Sequence, residues 1–228
     1  SVQRLSNGMQ FYLRRDRGEN LYKLYLRASD NGQERLLVDP ESMSSGSEQH
    51  YSLEGYVPSP TGDFVVYGLA QSGSEQTTYY VLDVASGDVI GSPIDNIETA
   101  YNWPQWSKDE LGFFYSKRRA LSADAPATEE YKQTRVMFHR LDTAPENDQL
   151  IAAYGHSISL PILDTDFPSV WLSPRSSHAV LKIKHGDNNE ISLFTAPRAE
   201  LLSGDISWSQ LCAESDEVTD FAVIGDTI

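Results

Sequence analysis

A loose repeat constrains this chain more than any other feature. Short apolar runs rich in Tyr, Phe, Val and Leu alternate with turn residues, and no helical period runs through them, so they read as strands. The runs cover residues 9–13, 21–26, 64–67, 78–84, 111–115, 135–141, 179–183 and 191–194. Between them, Asn7-Gly8, Asn31-Gly32 and Ser86-Gly87 are expected to supply the positive φ of tight hairpins. Each unit opens on a strand that ends in a serine and a turn. The anchors are Pro58-Ser59-Pro60-Thr61-Gly62, Trp106-Ser107-Lys108-Asp109 and Leu172-Ser173-Pro174-Arg175, with Asn7-Gly8 as an earlier one and Ile224-Gly225-Asp226 as a later one. Four strands in roughly 40–50 residues is the size of a β-propeller blade. The runs after the anchors (Phe64-Val65-Val66-Tyr67, Phe113-Phe114-Tyr115, Ala179-Val180-Leu181) are apolar on both sides of the strand. A blade packed on both faces needs that pattern, whereas a sandwich leaves its outer face polar. The expected fold is therefore all-β: a partial propeller of about four four-stranded antiparallel blades, at 1–40, 50–97, 98–152 and 165–212, with a fifth starting near Val218. A polar insertion at 116–134, containing Ala125-Pro126-Ala127, lengthens the third unit.

Composition narrows the function. Eighteen Lys and Arg against 33 Asp and Glu give a net charge of −15 and a pI near 4.6, which argues against nucleic acid because phosphate binding needs a basic surface. No apolar run approaches the roughly 18 residues of a membrane helix, so no membrane partner is expected. The single cysteine, Cys212, allows neither an internal disulfide nor a cysteine-based zinc site. The chain begins Ser1-Val2-Gln3 without Met and stops inside the apolar pattern Phe221-Ala222-Val223-Ile224, which reads as a piece cut from a longer protein, so a missing signal peptide carries little weight.

The search for catalytic chemistry is mostly negative. There is no Gly-x-Gly-x-x-Gly, no glycine before a lysine, and no His-Glu-x-x-His. His50, His139, His156, His178 and His185 lack metal-ligand spacing and read as surface or satisfied strand histidines. The nearest approach to a nucleophile elbow, Gly155-His156-Ser157-Ile158-Ser159, lacks the second glycine and reads as a loop. The acidic stretch 186–228 reads as solvated turns. No residue stands out as catalytic, and neither metal nor cofactor is expected.

The segment 53–75, above all Tyr67-Gly68-Leu69 followed by Ser72-Gly73-Ser74, closely resembles the start of the second propeller blade of prolyl oligopeptidases, serine peptidases of the prolyl endopeptidase family. Leu36-Leu37-Val38-Asp39-Pro40 resembles the end of the first blade. Residues 106–115, 133–141 and 148–151 resemble the third, and 170–183 fits the fourth as pattern. The resemblance implies a seven-bladed propeller joined to a C-terminal α/β-hydrolase domain with a Ser-Asp-His triad, cleaving short proline-containing peptides after proline, with the propeller as a size filter. No triad motif is present here, so the chain itself is expected to be inactive. Of two substrate-facing propeller positions in the family, one falls on Tyr101, whose plainer reading is a strand aromatic filling a blade interface. The other, an arginine in the third strand of blade four, falls on Glu190, a charge reversal, and nothing is carried over. A cytoplasmic location is expected, with a periplasmic one left open.

Trp103, Trp106, Trp171 and Trp208 read as core packing, and Lys117-Arg118-Arg119 as a solvated loop in preference to a contact with the hydrolase domain. Gly62 and Gly87 are expected in tight turns of separate blades. Runs such as Phe11-Tyr12-Leu13 and 221–224 are expected to line exposed faces and drive self-association. A stand-alone propeller scaffold for protein interactions and a propeller carbohydrate enzyme are the competing readings. Three further blades and a Gly-x-Ser-x-Gly beyond Ile228 would separate the peptidase from both.

Overall fold

The computed structural model describes residues 2–44, 50–71, 76–122 and 124–228. Part of the segment most typical of the second blade, 72–75, therefore lies outside the described residues. Two compact units divide the chain, Ser1–Asp95 and Asn96–Ile228. In the first, β1 (Val2–Arg4), β2 (Gln10–Arg14), β3 (Lys23–Arg27) and β4 (Glu34–Val38) form an antiparallel up-and-down sheet. After a single helical turn, α1 (Pro40–Ser44), a second sheet follows with β5 (Tyr51–Pro58), β6 (Phe64–Gln71), β7 (Thr77–Asp83) and β8 (Val89–Ile97), the last running just past the unit boundary.

In the second unit, β9 (Gln105–Trp106), β10 (Gly112–Lys117), β11 (Arg135–Arg140) and β12 (Gln149–Ala152) pair in order, and Lys117 at the end of β10 also pairs with Ile97. The sheet β13 (Asp166–Leu172), β14 (His178–His185), β15 (Ile191–Pro197) and β16 (Ser209–Cys212) repeats the pattern. Among the described residues, short 3₁₀ turns apart, everything else is strand and loop. No helix among the described residues is long and apolar enough to cross a membrane.

The anchors share one physical cause. The carbonyls of Ser59, Ser107 and Ser173 each accept the amide of the third residue on, Gly62, Glu110 and Ser176, at 2.9, 3.1 and 3.1 Å. Gly62 and Glu110 both take the left-handed conformation, with φ of 83° and 57°. The amides of Ser59 and Ser107 also donate to the carbonyls of Phe64 and Gly112, at 2.8 and 2.9 Å, which starts the next strand in register. Gly62 is further constrained by space, since a Cβ there would lie 2.9 Å from Leu5 Cδ1 and Met9 Sδ in the turn of the first sheet.

Side-chain alternation builds the cores. In the first unit Phe11, Leu24, Leu26 and Val38 point to the face that packs on Leu53, Val65, Tyr67 and Leu69, so Phe11 is wholly buried and lines no exposed face, contrary to expectation. Their neighbours Tyr12, Tyr25 and Leu36 sit side by side on the opposite face. Val65 to Ala70 on β6 are buried on both sides, as an internal blade strand must be. Tyr56 crosses between the sheets, its hydroxyl donating to the Phe11 carbonyl at 2.7 Å.

In the second unit Phe114, Val136 and Phe138 pack with Val170, Leu181 and Phe194. Ser116 Oγ donates to the Pro168 carbonyl at 3.0 Å and Asn102 Nδ2 to that of Val170 at 3.1 Å, satisfying buried polar atoms across the two sheets. Past Val218 the chain forms no strand of its own beyond an Ile224–Thr227 bridge. Val218, Phe221 and Val223 lie over Val180, Ile191 and Leu193 and cover the far face of the fourth sheet.

Three local expectations are corrected. Gly32 does not take a positive φ; it is the fourth residue of a turn closed by its amide on the Ser29 carbonyl at 2.9 Å. A Cβ there would meet the Ser29 amide and hydroxyl at 3.0 Å, so close approach and not handedness asks for glycine. Gly62 and Gly87 both take positive φ, but their turns lie in the same sheet, before β6 and before β8. The insertion begins only at Arg118, because Ser116 and Lys117 belong to β10.

Candidate functional site

The loops at one end of the third and fourth sheets enclose a cavity of about 440 Å³. Its walls come from the turn before β9 (Ala100, Tyr101), the insertion (Arg118, Tyr131, Lys132) and the start of β13 (Phe167). Tyr101 stands in a loop, not on a strand; its ring tilts against Phe167 with centroids 4.9 Å apart. The Lys184 ammonium lies 5.8 Å from the centre of the Tyr101 ring, close enough for a cation–π contact. Glu190 sits on the residue just before β15, outside the strand to which it was aligned.

Arg118 organises this end, and the expected solvated loop is wrong for it. Its amide donates to the Asn96 carbonyl at 2.7 Å, Nε to Glu98 at 2.7 Å and Nη1 to Glu130 at 3.1 Å; its guanidinium lies 5.0 Å from the centre of the Tyr131 ring. The side chains of Arg118 and Glu98 are only 7% and 2% exposed. Burial pulls the Arg118 pKa down, but the hydrogen bonds and charges of Glu98 and Glu130 outweigh it, so the pKa ends above the ordinary value. A buried charge persists only when paired in this way. Because Glu130 and Tyr131 close the 3₁₀ turn Ala127–Tyr131, the ion pair fixes the insertion as a cavity wall. Lys132 is neutralised by Glu129 at 2.9 Å, which also reaches Arg119.

A second group was missed in the sequence. Asp166 Oδ1 lies 3.1 Å from His185 Nδ1, and His185 Nε2 lies 2.8 Å from Ser192 Oγ. The order Asp, His, Ser has the hydrogen-bond pattern of a hydrolytic triad. Asp166 and Ser192 are buried, however, and a nucleophile without access to substrate cannot act. The three residues lie on adjacent strands, with Asp166 opposite His185 in the ladder, so the chain of bonds ties β13, β14 and β15 together. His139 is satisfied similarly: its Nδ1 lies 2.8 Å from Asp148, which also accepts the Tyr115 hydroxyl at 2.7 Å. Both read as the satisfied strand histidines the sequence suggested. The 155–159 segment is a loop with Ile158 fully exposed.

Of the tryptophans, Trp106 and Trp208 are buried, and Trp106 meets Phe113 edge-on at 5.4 Å. Trp103 and Trp171 are half-buried, Trp171 meeting Phe221 at 5.7 Å.

Consecutive four-stranded up-and-down sheets, three of them opened by a recurrent serine turn and with inner strands such as β6 and β10 buried on both faces, define a β-propeller segment. A sequence profile of the prolyl oligopeptidase N-terminal beta-propeller domain matches residues 1–158, and the chain belongs to that family. Prolyl oligopeptidase ophP of Omphalotus olearius is 28% identical over 125 residues, 51% of this chain and 16% of that protein. The prolyl endopeptidase of Elizabethkingia meningoseptica is 25% identical over 147 residues, 63% of this chain and 20% of that protein. Among solved structures, a prolyl endopeptidase matches with a TM-score of 0.74 at 24% identity, covering 91% of this chain and 28% of the other. Prolyl oligopeptidase B from Galerina marginata, bound to a 35mer hydrolysis and macrocyclization substrate, gives a TM-score of 0.75 at 16% identity, covering 92% and 31%. At these identities the structural matches carry the fold alone. The chain spans a fifth or less of the curated relatives' length and under a third of the solved chains.

Proposed function

We propose that this chain is the substrate-gating propeller part of a serine endopeptidase that cleaves short peptides after proline, with its hydrolase domain elsewhere in the parent protein, and that the chain alone does not cleave. The observation that carries the reading is Tyr101, the residue the family resemblance marks as substrate-facing, at the wall of a cavity where Phe167 supports its ring. An aromatic face so held packs on an apolar residue of a bound peptide. Phe167 and Tyr131 add apolar surface beside it, and of the nearby cations Lys132 and Arg118 are already paired with carboxylates, which leaves room for a side chain such as proline.

The test has two parts. A fluorogenic Gly-Pro amide should show no turnover with the purified 228-residue chain; turnover that tracks the chain and is abolished by a serine-phosphonylating reagent would refute inactivity. In the parent enzyme Tyr101→Ala should raise KM several-fold, by about 1 kcal/mol of lost binding, with kcat nearly unchanged. An unchanged KM would remove Tyr101 from the site.

We also propose that the isolated chain self-associates through apolar residues left open, among them Val2, Leu36 and Ile224. Association should strengthen at high salt, which screens the charge of −15. Light scattering after size exclusion that finds only a 25.5 kDa species at low and high salt would refute it.

A further inference from the structure

At the opposite end of the third and fourth sheets lies a larger cavity, about 990 Å³, framed by the anchor turns after β9 and β13 and by the 3₁₀ turn Arg198–Glu200. Its charged residues are Lys108, Arg175 and Arg198 against Asp109 and Asp226. Both carboxylates accept hydrogen bonds from neutral groups and stay ionised, so the three cations leave the cavity a net charge of +1. Asp109 accepts the Ser107 hydroxyl at 2.6 Å and the Leu111 amide at 3.2 Å. Asp226 accepts the Ser177 amide at 2.6 Å and the hydroxyls of Ser176 and Ser177 at 3.1 and 3.0 Å.

The three cations have no carboxylate partner among the described residues. Arg198 is the telling one. Its Nη1 donates to the carbonyls of Ser173 at 3.0 Å and Ser176 at 3.4 Å, which fixes the guanidinium plane, while Nε and Nη2 carry no partner among the described residues. Burial pulls its pKa below the ordinary arginine value with no acid to offset it. A half-buried, oriented guanidinium with two open donors is the geometry that receives a carboxylate. The floor beside it is apolar, with Phe114, Leu172 and Leu201. The volume falls in the range of small-molecule and peptide sites.

We propose that this cavity binds an organic carboxylate with an apolar body, held by Arg198 in the pocket and by Arg175 and Lys108 at its mouth. A peptide ending in an apolar residue and a free aliphatic acid share this chemistry, so both are tested. Calorimetric titration of the 228-residue chain would use N-acetyl-alanyl-leucine as the free acid, its C-terminal amide, octanoate and inorganic phosphate. At least one of the two acids should bind, about tenfold tighter than the amide and than phosphate, and more weakly as salt rises. Binding of the peptide acid alone identifies a peptide C-terminus, and equal binding of octanoate identifies a general acid site. Arg198→Gln should weaken the binding about tenfold, and Arg175→Gln, at an exposed side chain, about two- to threefold. Should Arg198→Gln fail to fold by circular dichroism, Arg175→Gln alone decides. The proposal falls if the amide or phosphate binds as well as the acids, if neither acid binds below about 10 mM, or if the folded variants bind like the parent.

Discussion

Arg118 and Arg198 stand at opposite ends of the same pair of sheets and meet burial in opposite ways. Arg118 is almost wholly enclosed, yet Glu98 and Glu130 hold its pKa above the ordinary value. Arg198 is less enclosed, has only carbonyls for partners among the described residues, and its pKa is lowered. The first arginine is spent on structure, fixing the insertion so that Tyr131 joins Tyr101 and Phe167 in the wall of the smaller cavity. The second keeps donors open toward the larger one. Burial alone therefore does not mark a functional arginine; what matters is whether its counter-charge is already supplied by the protein.

The largest expected effect breaks this contrast at Arg118. Arg118→Met should cost about 3–5 kcal/mol in urea unfolding, because Glu98 is left as a buried, uncompensated charge. Adding Glu98→Gln should recover a substantial part, and no recovery would mean the loss came from packing. Trp106→Ala, beside the anchor Ser107, should cost a comparable 3–5 kcal/mol, roughly the value for a large core aromatic. A loss below about 1 kcal/mol would place Trp106 outside the core.

Much of the fold was legible because its causes are local. Ser59 and Ser107 lie within five residues of everything that makes their turns, and the double-sided apolar runs on β6 and β10 are contiguous in sequence. Of the residues around the smaller cavity, the sequence offered only Tyr101 as a site residue, through a family position. Arg118 read as a solvated basic loop because its partners come from other elements: Glu98 follows β8, and Glu130 lies in the 3₁₀ turn. The opposite charges of Lys117-Arg118-Arg119 and Glu129-Glu130 at the two ends of one insertion were the available signal. Asp166, His185 and Ser192 meet only through strand pairing, which no short motif encodes.

Smaller effects sharpen the comparison. Ser192→Ala should cost about 1–3 kcal/mol by leaving His185 Nε2 without its partner, and Ser192 should resist phosphonylating reagents in the native state. Labelling of Ser192 would make the Asp166–His185–Ser192 group a reactive site instead of a strand tie. Arg198→Met should cost about 1 kcal/mol or less, since it removes an uncompensated cation along with its carbonyl bonds. A loss as large as at Arg118 would show a hidden counter-charge and erase the distinction between the two ends.

The smallest effect concerns the carboxylate that leaves the larger cavity its cations. Hydrogen bonds from the Ser177 amide and hydroxyl, then from Ser176, hold the Asp226 pKa below the usual carboxylate value. A folded-state pKa below the unfolded one means that the stabilisation is fully present above the ordinary carboxylate range and is lost as pH falls through the lowered value. Acidification should therefore release the 224–228 turn from the Ser176–Ser177 turn before the strands melt. Hydrogen exchange at the Ser177 amide reads this directly: protection should hold near neutrality and fall in the acid limb, whereas in Asp226→Ala it should already be weak near neutrality and lack that fall. Protection that stays unchanged in Asp226→Ala would mean that the amide is shielded by the fold and not by the carboxylate. Asp226 would then be free to pair with Arg175 or Arg198, and only two of the three cations in the larger cavity would stay open.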